Sequence, residues 1–265
     1  MARFLQLSDL HVVPIGRRAS VVLDTCHLLE QAIDQLLDMR PALGPLDAVL
    51  VSGDISDDGS AGSYDIARAQ LERLNLPVLV VPGNHDAREP FRQAFADLAP
   101  LPATGLIDWT LKIGDTHVVG LDTLIEGQGG GRLRDESLTV LKDALSAAGT
   151  DPVLVMLHHP PIRTGIQFMD AIGLENASAL EAALVDTQAD VTLVAGHVHA
   201  VHHARLGRFP VITAPSICSA FALDRRADAV VGFLTHPRGC AVIDTGPEGI
   251  WSAVPLDPSD GPFPF

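Results

Sequence analysis

The stretch PVLVVPGNHD, residues 77–86, begins with a short aliphatic run, and polar residues with potential metal-binding or catalytic side chains follow it directly. A run of Val and Leu that ends at a Pro-Gly pair is typical of a buried strand. Asn84, His85 and Asp86 would then stand at the carboxyl end of that strand. An amide, an imidazole and a carboxylate together can bind a metal ion, although a turn accounts for them as well when the motif is taken alone.

The same arrangement recurs along the chain. Polar residues also follow aliphatic runs at residues 3–7, 47–52, 116–121, 152–157 and 191–195. Between these runs, apolar residues three and four positions apart predict helices over residues 21–39, 63–74, 136–148 and 178–187. Alternating strands and helices predict an α/β fold with crossover connections.

The helical patterns stop after residue 208. Strands are predicted over residues 211–214, 230–235, 240–244 and 250–254, and they could form an antiparallel segment of the same fold. We see no repeat and no linker. We therefore predict a single domain, residues 1–265, with C-terminal strands and an extended tail over about residues 209–265.

The composition restricts the classes of partner. The chain has 33 acidic and 18 basic residues, which gives a net charge of -15. A field of this sign repels a polyanion, so polymeric nucleic acid is not expected as a substrate. Three scattered cysteines do not make a disulfide framework, and no apolar stretch approaches the roughly 20 residues of a membrane span. We therefore expect a cytoplasmic protein without a membrane partner.

Seven side chains at the predicted strand ends have the chemistry of metal ligands. Asp9 and His11 are two residues apart, so on a strand both would point to one side of the sheet, and His197 and His199 repeat this spacing. The full set is Asp9, His11, Asp54, Asn84, His158, His197 and His199. Each motif alone could be a turn, but together they fall where open α/β sheets place their sites. The mixed oxygen and nitrogen donors suit Mn, Fe, Co or Zn.

The order D-x-H, G-D, G-N-H-D, H, G-H-x-H resembles the calcineurin-like metallophosphoesterase family over residues 9–199. The resemblance implies a four-layer α/β/β/α sandwich of two mixed sheets flanked by helices. It implies two divalent or mixed-valence transition-metal ions (Mn, Fe, Zn or Co) and in-line attack on phosphorus by a hydroxide that bridges them. Asp9, His11 and His199 would hold one ion, Asn84, His158 and His197 the other, and Asp54 would bridge both.

Positions near Asp54 separate the branches of that family. Purple acid phosphatases have a tyrosine where this chain has Asp57. Protein serine/threonine phosphatases have an arginine where this chain has Asp58, and lipid A-pathway pyrophosphatases lack the equivalent of His85. The chain therefore resembles most the bacterial class III cyclic-nucleotide phosphodiesterases and glycerophosphodiesterases.

Two residues are predicted to act without binding metal. His85 would stabilise a phosphate oxygen or protonate the leaving oxygen. Asp57 would orient His85, as the equivalent carboxylate does in the phosphatase branch, and Asp86 is a second candidate for that task. Candidate contacts to the substrate are Asn84, His85, Arg163, Phe168 and His202. For Arg163 and His202, an exposed loop position is the alternative.

These features predict a phosphodiesterase for small phosphodiesters, either 3',5'-cyclic nucleotides or glycerophosphodiesters. A phosphomonoesterase or broad-specificity phosphatase of the same fold is the alternative, although a monoester would call for further cations, which the motifs lack. A non-enzymatic metal-binding protein is a third reading, which the complete ligand set and His85 disfavour. The family resemblance implies a homodimer or a higher homo-oligomer.

Overall fold

The computed structural model describes residues 1–245, 248–259 and 263. Strands and helices alternate through most of the chain, and the last five elements are strands. In chain order the elements are β1 (Arg3–Leu7), α1 (Thr25–Leu43), β2 (Ala48–Val51), α2 (Ala61–Glu72), β3 (Val78–Val80), α3 (Arg88–Phe95), β4 (Trp109–Ile113), β5 (Thr116–Leu121), α4 (Asp135–Ala148), β6 (Pro152–Leu157), α5 (Gln167–Ala171), α6 (Ala177–Leu184), β7 (Asp190–Ala195), β8 (His203–Leu206), β9 (Phe209–Thr213), β10 (Gly239–Asp244) and β11 (Trp251–Pro255).

The strands form two mixed sheets. The first sheet has the order β11-β10-β1-β2-β3, in which β1, β2 and β3 are parallel and β10 is antiparallel to β1. The second has the order β4-β5-β6-β7-β9-β8, with four parallel central strands and an antiparallel strand at each edge. The parallel strands are aliphatic and nearly fully buried, as strands covered on both faces must be.

The packing has four layers. One apolar core joins the first sheet to α1, α2 and α3 and also includes Leu154, Met156 and Val194 from the inner face of the second sheet. A second core packs the other face of the second sheet against α4 and α6. The predicted α/β sandwich of two mixed sheets flanked by helices is confirmed. No helix in the described part of the chain has both the length and the apolar character needed to cross a bilayer.

Some predicted helix bounds are wrong. The helix predicted over residues 21–39 is α1, which begins at Thr25 because Asp24 accepts a hydrogen bond from the backbone N–H of His27. It continues through Pro41 to Leu43, since a proline in the last turn removes only one hydrogen bond. The helices α3 and α5 and the strands β4 and β8 were not predicted.

The strand predicted over residues 230–235 is also wrong. Its aliphatic side chains are exposed, and within the described residues its strand-type pairing is limited to an isolated bridge between Ala220 and Leu234. Without a neighbouring strand, a β-propensity pattern has no ladder to complete. In the predicted extended tail, residues 260–262, 264 and 265 lie outside the described residues.

Candidate metal centre

The seven candidate ligands lie in loops that leave the carboxyl ends of the parallel strands. Left-handed backbone is found at five of them: φ is 52° at Asp9, 46° at His11, 50° at Asp54, 71° at His197 and 48° at His199. Such conformations are strained for residues other than glycine and gather at functional sites. The prediction that Asp9 and His11 share one side of a strand was wrong, because β1 ends at Leu7. The turns after β1, and not the pleating of a strand, set the directions of these side chains.

Backbone hydrogen bonds hold these loops in register. The N–H of Asp9 donates to the carbonyl of Gly53 at 3.0 Å, and the N–H of His11 donates to the carbonyl of Asp54 at 2.9 Å. The N–H of His197 donates to Oδ1 of Asp9 at 3.0 Å. Loops from both sheets are therefore tied together at one point.

Two glycines allow the close approach. A Cβ on Gly83 would collide with Oδ1 of Asp54, and a Cβ on Gly53, where φ is 95°, would collide with the ring of His158. Only glycine lets these backbones come so near the candidate ligands.

The first group of ligands, called here the first site, consists of Asp9, His11 and His199. Nδ1 of His11 lies 3.0 Å from Oδ1 of Asp57, and Nδ1 of His199 lies 2.9 Å from Oγ of Ser219. If both Nδ1 atoms carry the proton, both Nε2 atoms present lone pairs. These Nε2 atoms lie 3.1 Å apart, and Oδ1 of Asp9 lies 3.4 Å from that of His199. A cation can satisfy all three acceptors.

The second group, the second site, consists of Asn84, His158 and His197. Nδ1 of His158 donates to the carbonyl of Ser52 at 2.8 Å, so Nε2 is the nitrogen that would bind a metal ion once it has lost its proton. Nε2 of His197 donates to the carbonyl of Ile172 at 3.0 Å, which leaves Nδ1 as the acceptor. These two nitrogens lie 3.1 and 3.0 Å from Oδ1 of Asn84. Three candidate ligand atoms again converge.

Asp54 lies between the two sites. Its Oδ2 is 3.6 Å from Nε2 of His11 in the first site and 3.3 Å from Nε2 of His158 in the second. Its Oδ1 accepts the backbone N–H of His85 at 2.8 Å, which orients the carboxylate. This is the position that a bridging ligand requires.

The electrostatics favour bound positive charge. Burial alone would raise the pKa of Asp9, but His199 and His158 lower it to about 2. Burial opposes ionisation of Asp54 too, yet His158 holds its pKa well below the ordinary value. For His158 the effect of burial is outweighed by Asp54 and Asp9, which raise its pKa to about 9. Two buried, ionised carboxylates thus draw protons onto a neighbouring imidazole, and a metal ion can take the place of those protons.

The residues therefore fit a pair of metal ions. Groups of ligand atoms within 4.8 Å of one another include Asp9 with His11 and His199, and Asp9 with Asp54 and His158. The donors are carboxylate, amide and imidazole, which suits first-row transition metals. Each imidazole also has a hydrogen bond on its second nitrogen, as ligating histidines have.

Asp57 and Asp86 have different hydrogen-bond partners. Asp57 lies between His11 and His85: its Oδ1 is 3.4 Å from Nδ1 of His85, which also donates to the Asp57 carbonyl at 3.1 Å. Asp86 instead accepts the N–H groups of Gly83, Ile55 and Ser56 and the hydroxyl of Tyr64. Asp86 therefore joins two ligand loops, and its predicted alternative role of orienting His85 is wrong.

The two remaining predicted substrate contacts lie elsewhere. The Arg163 side chain is 87 % exposed and faces Asp170 at 3.5 Å, in a different cavity from the ligands. His202 is half-buried beneath β9, where its N–H donates to Thr213. Neither lines the cavity above the two sites, so exposed or structural loop positions account for them better than substrate contact does.

Sequence reasoning missed several supporting residues. Ser219 and the carbonyls of Ser52 and Ile172 set the orientations of ligating imidazoles. His159 is fixed by Thr123 and the carbonyl of Gly129, and burial lowers its pKa to about 3, so it stays neutral. Ser219 follows the end of β9 at the same edge of the sheet, and that position was a usable signal.

A cavity of about 300 Å³ opens above both sites. Its floor holds ligands of both groups with His85, and its walls are mainly apolar and aromatic. No lysine or arginine lines it among the residues that the structure describes. The arrangement suits a small ligand that carries one negative charge and an apolar group.

Comparisons with known proteins agree with this geometry. A family model described as calcineurin-like phosphoesterase matches residues 2–201. The chain is 33 % identical over 242 residues to the 3',5'-cyclic adenosine monophosphate phosphodiesterase CpdA of Pseudomonas aeruginosa, across 89 % of this chain and 86 % of that protein. It is 29 % identical over 264 residues to the probable glycerophosphodiester phosphodiesterase GpdQ of Arcobacter nitrofigilis, across 98 % and 96 %. A dimetal phosphatase from Danio rerio shares the fold with a TM-score of 0.70 at 15 % identity, across 97 % and 96 %.

Proposed function

The chain belongs to the calcineurin-like phosphoesterase family, as its motifs predicted, and on that premise we propose that it is a metal-dependent hydrolase of small phosphodiesters. The observation that carries the proposal is the convergence of candidate ligand atoms into two groups joined by Asp54. The names of the two curated relatives support a diester substrate, either a 3',5'-cyclic nucleotide or a glycerophosphodiester.

We assign the ligands of two transition-metal ions as the sequence predicted. Asp9, His11 and His199 would hold the first, Asn84, His158 and His197 the second, and Asp54 would bridge them. Mn, Fe, Zn and Co all suit this donor set. Bound in this way, the two ions would supply Lewis acidity toward a phosphate oxygen and lower the pKa of a coordinated water. Burial raises the pKa of the Cys218 thiol to about 12, so it stays protonated and does not compete as a ligand.

His85 would handle a proton or a phosphate oxygen. Its Nδ1 donates to the carbonyl of Asp57, and its side chain is 41 % exposed toward the cavity. Nε2 is therefore the atom that can meet an oxygen of the substrate. The ring packs edge-on against His11, with centroids 4.7 Å apart, so its orientation is fixed. A positioned imidazole of this kind can protonate a leaving oxygen or hold a negatively charged one.

The cavity favours a diester over a monoester. A phosphomonoester carries a second negative charge, which a binding site ordinarily balances with arginine or lysine. In the described part of the chain, the cavity wall offers neither. The net charge of -15 also repels a polyanion, so we propose no role in polymeric nucleic acid cleavage. A phosphomonoesterase or broad-specificity phosphatase is the alternative.

One assay separates these possibilities. Protein stripped of metal and reconstituted with Mn²⁺ should hydrolyse bis(p-nitrophenyl) phosphate at least tenfold faster than p-nitrophenyl phosphate. Asp54→Ala should remove this activity and at least one equivalent of bound metal, measured by elemental analysis. Preference for the monoester would support the phosphatase. No turnover of either ester with two metals bound would support a non-enzymatic metal-binding protein.

We also propose a cytoplasmic homodimer, formed as one domain. Cys26, Cys218 and Cys240 are free thiols, as suits a reducing compartment. Exposed aliphatic side chains, including Val21 and Val230 at 85 % and 88 % exposure, gather on two loops beside the cavity and could be covered by a second copy. Light scattering coupled to size-exclusion chromatography measures the mass directly. A mass near the 28.1 kDa of one chain would contradict the dimer.

A further inference from the structure

Phe168 and Phe221 form one wall of the cavity above the ligands, and Phe233 lines the same cavity from a separate apolar cluster. Phe168 comes from α5, and Phe221 and Phe233 stand near the two ends of the irregular segment 221–233. The ring of Phe168 meets that of Phe221 edge-on, with centroids 5.1 Å apart and planes at 79°. Met169 and Ile172 extend the same surface. The wall is therefore continuous, apolar and rich in aromatic rings.

The polar groups of the cavity are already engaged. Ser219 holds His199, and the carboxylate of Asp57 holds His11. Apart from these two residues, the candidate ligands and His85, the described residues that line the cavity offer only the hydroxyl of Ser20 and the thiol of Cys218 as polar groups. The organic part of a bound diester would therefore meet apolar surface and almost no free donor or acceptor.

We propose that the wall of Phe168 and Phe221 binds the base of a purine nucleoside 3',5'-cyclic phosphate by stacking. The enzyme would then prefer cyclic nucleotides to glycerophosphodiesters and would distinguish adenine from guanine only weakly. This inference rests on the proposed phosphodiesterase function. It selects one of the two substrate classes which that function leaves open.

The chemistry of the wall supports both parts of the inference. Every nucleobase has a π-face, so stacking on phenylalanine gains affinity whatever the base. Strong discrimination between bases requires buried hydrogen-bonding groups that the wrong base leaves unpaired. The hydroxyls of a glycerol group would lose hydrogen bonds to water against this wall without replacement.

A quaternary ammonium group, as in glycerophosphocholine, is the other ligand that aromatic side chains recognise. Such a group is held in a box of ring faces. Here Phe221 packs on His199, with centroids 4.6 Å apart and planes at 38°, and it forms an edge-to-face pair with Phe168. The rings thus present a wall rather than a box, which favours a flat base.

The test compares catalytic efficiency on four diesters with Mn²⁺-reconstituted protein. We expect kcat/KM for cyclic AMP and cyclic GMP to agree within about threefold, and both to exceed the values for glycerophosphoethanolamine and glycerophosphocholine at least tenfold. A cyclic AMP to cyclic GMP ratio above 100, or preference for either glycerol diester, would overturn the inference. Hydrolysis of bis(p-nitrophenyl) phosphate without a preference for cyclic nucleotides would contradict only this inference. If the protein hydrolysed no diester at all, the proposed function would be contradicted as well.

A substitution in the wall gives an independent readout. Phe168 is the better position, because Phe221 also packs on His199. Phe168→Leu should weaken binding of the slowly hydrolysed adenosine 3',5'-cyclic phosphorothioate about three- to tenfold by calorimetry, with a similar rise in KM for both cyclic nucleotides. Phe168→Tyr keeps the ring and should bind within twofold of the parent. Equal binding by Phe168→Leu and Phe168→Tyr, with both folded, would show that the ring does not stack on the base.

Discussion

Nδ1 of His11 lies 3.0 Å from Oδ1 of Asp57, so a carboxylate outside the proposed ligand set fixes the orientation of an imidazole within it. The same oxygen is 3.4 Å from Nδ1 of His85. Asp57 therefore connects the first site to the proposed catalytic histidine, whereas the sequence predicted a contact with His85 alone. A carboxylate that orients a ligating histidine raises the basicity of the metal-binding nitrogen.

Asp57→Leu should weaken metal binding at the first site by about 10- to 100-fold and lower kcat. Asp57→Asn should do less harm, because an amide oxygen can still accept from Nδ1 of His11. Competition with a chelating dye measures the affinity, and exposed Asp65→Asn on α2 controls for the lost charge. Unchanged metal affinity in Asp57→Leu would show that Asp57 does not support the first site and serves only in its turn.

His85→Ala tests the proposed proton or oxyanion role. The side chain contributes no atom to either proposed metal site, so both metals should stay bound. We expect kcat on a diester to fall by about 10²- to 10⁴-fold. Elemental analysis on the same sample separates lost chemistry from lost metal. If His85→Ala kept nearly full turnover with two metals bound, the proposed role of His85 in catalysis would be wrong.

Much of this site could be predicted because its residues stand where strands end. The runs before Asp9, Asp54, Asn84, His158 and His197 are aliphatic, and parallel strands place their carboxyl ends at one edge of a sheet. The assignment of ligands to particular metals stays a prediction. Chain order alone cannot decide which ring nitrogen is free, since that depends on partners such as the carbonyl of Ile172.

Other features depend on tertiary context that a local pattern does not contain. The left-handed φ at five candidate ligands is held by hydrogen bonds between loops that are far apart in sequence. The short α3 begins at Arg88, whose guanidinium binds the buried carboxylate of Asp122 at 2.7 and 2.9 Å. The aliphatic residues Val230, Val231 and Leu234 are exposed, and residues 230–235 are not part of any strand of the two sheets.

Gly83→Ala tests the close approach without removing a functional group. The new methyl group would collide with Asp54, so the bridge position must shift. We expect a loss of roughly 1–3 kcal/mol in the free energy of unfolding and weaker binding of both metals. Gly62→Ala on α2, where nothing lies near the new Cβ, is the matched control and should be neutral or stabilising. If Gly83→Ala still bound two metals tightly, the claim that a Cβ at residue 83 displaces Asp54 would be wrong.

Tyr64→Phe tests the support beneath the second site. The Tyr64 hydroxyl donates to Asp86 at 3.1 Å and accepts the N–H of Ala87 at 2.8 Å, and the side chain is fully buried. Its loss should cost about 1–3 kcal/mol of stability, since it leaves partners unpaired. Because Asp86 joins the loops of Asp54 and Asn84, metal affinity should fall as well. Chemical denaturation measures the first effect and chelator competition the second. A loss of stability with unaltered metal affinity would confine Tyr64 to a structural role.

The raised pKa of His158 predicts opposite pH dependences for the stripped and the metal-loaded protein. Its pKa is about 9, against 6.5 in the unfolded chain, because Asp54 and Asp9 outweigh burial. In stripped protein this group therefore contributes stability that is complete below pH 6.5 and is lost as the pH rises through about 9.

Metal needs the unprotonated imidazole, so binding releases the proton, and affinity should rise by up to about tenfold per pH unit over the same window. The difference in Tm between Mn²⁺-loaded and stripped protein should consequently widen from pH 6.5 to 8.5 at constant free metal. In His158→Asn, stability of the stripped protein should depend less on pH across this range. A Tm difference that does not widen with rising pH would contradict a protonated His158 in the stripped protein.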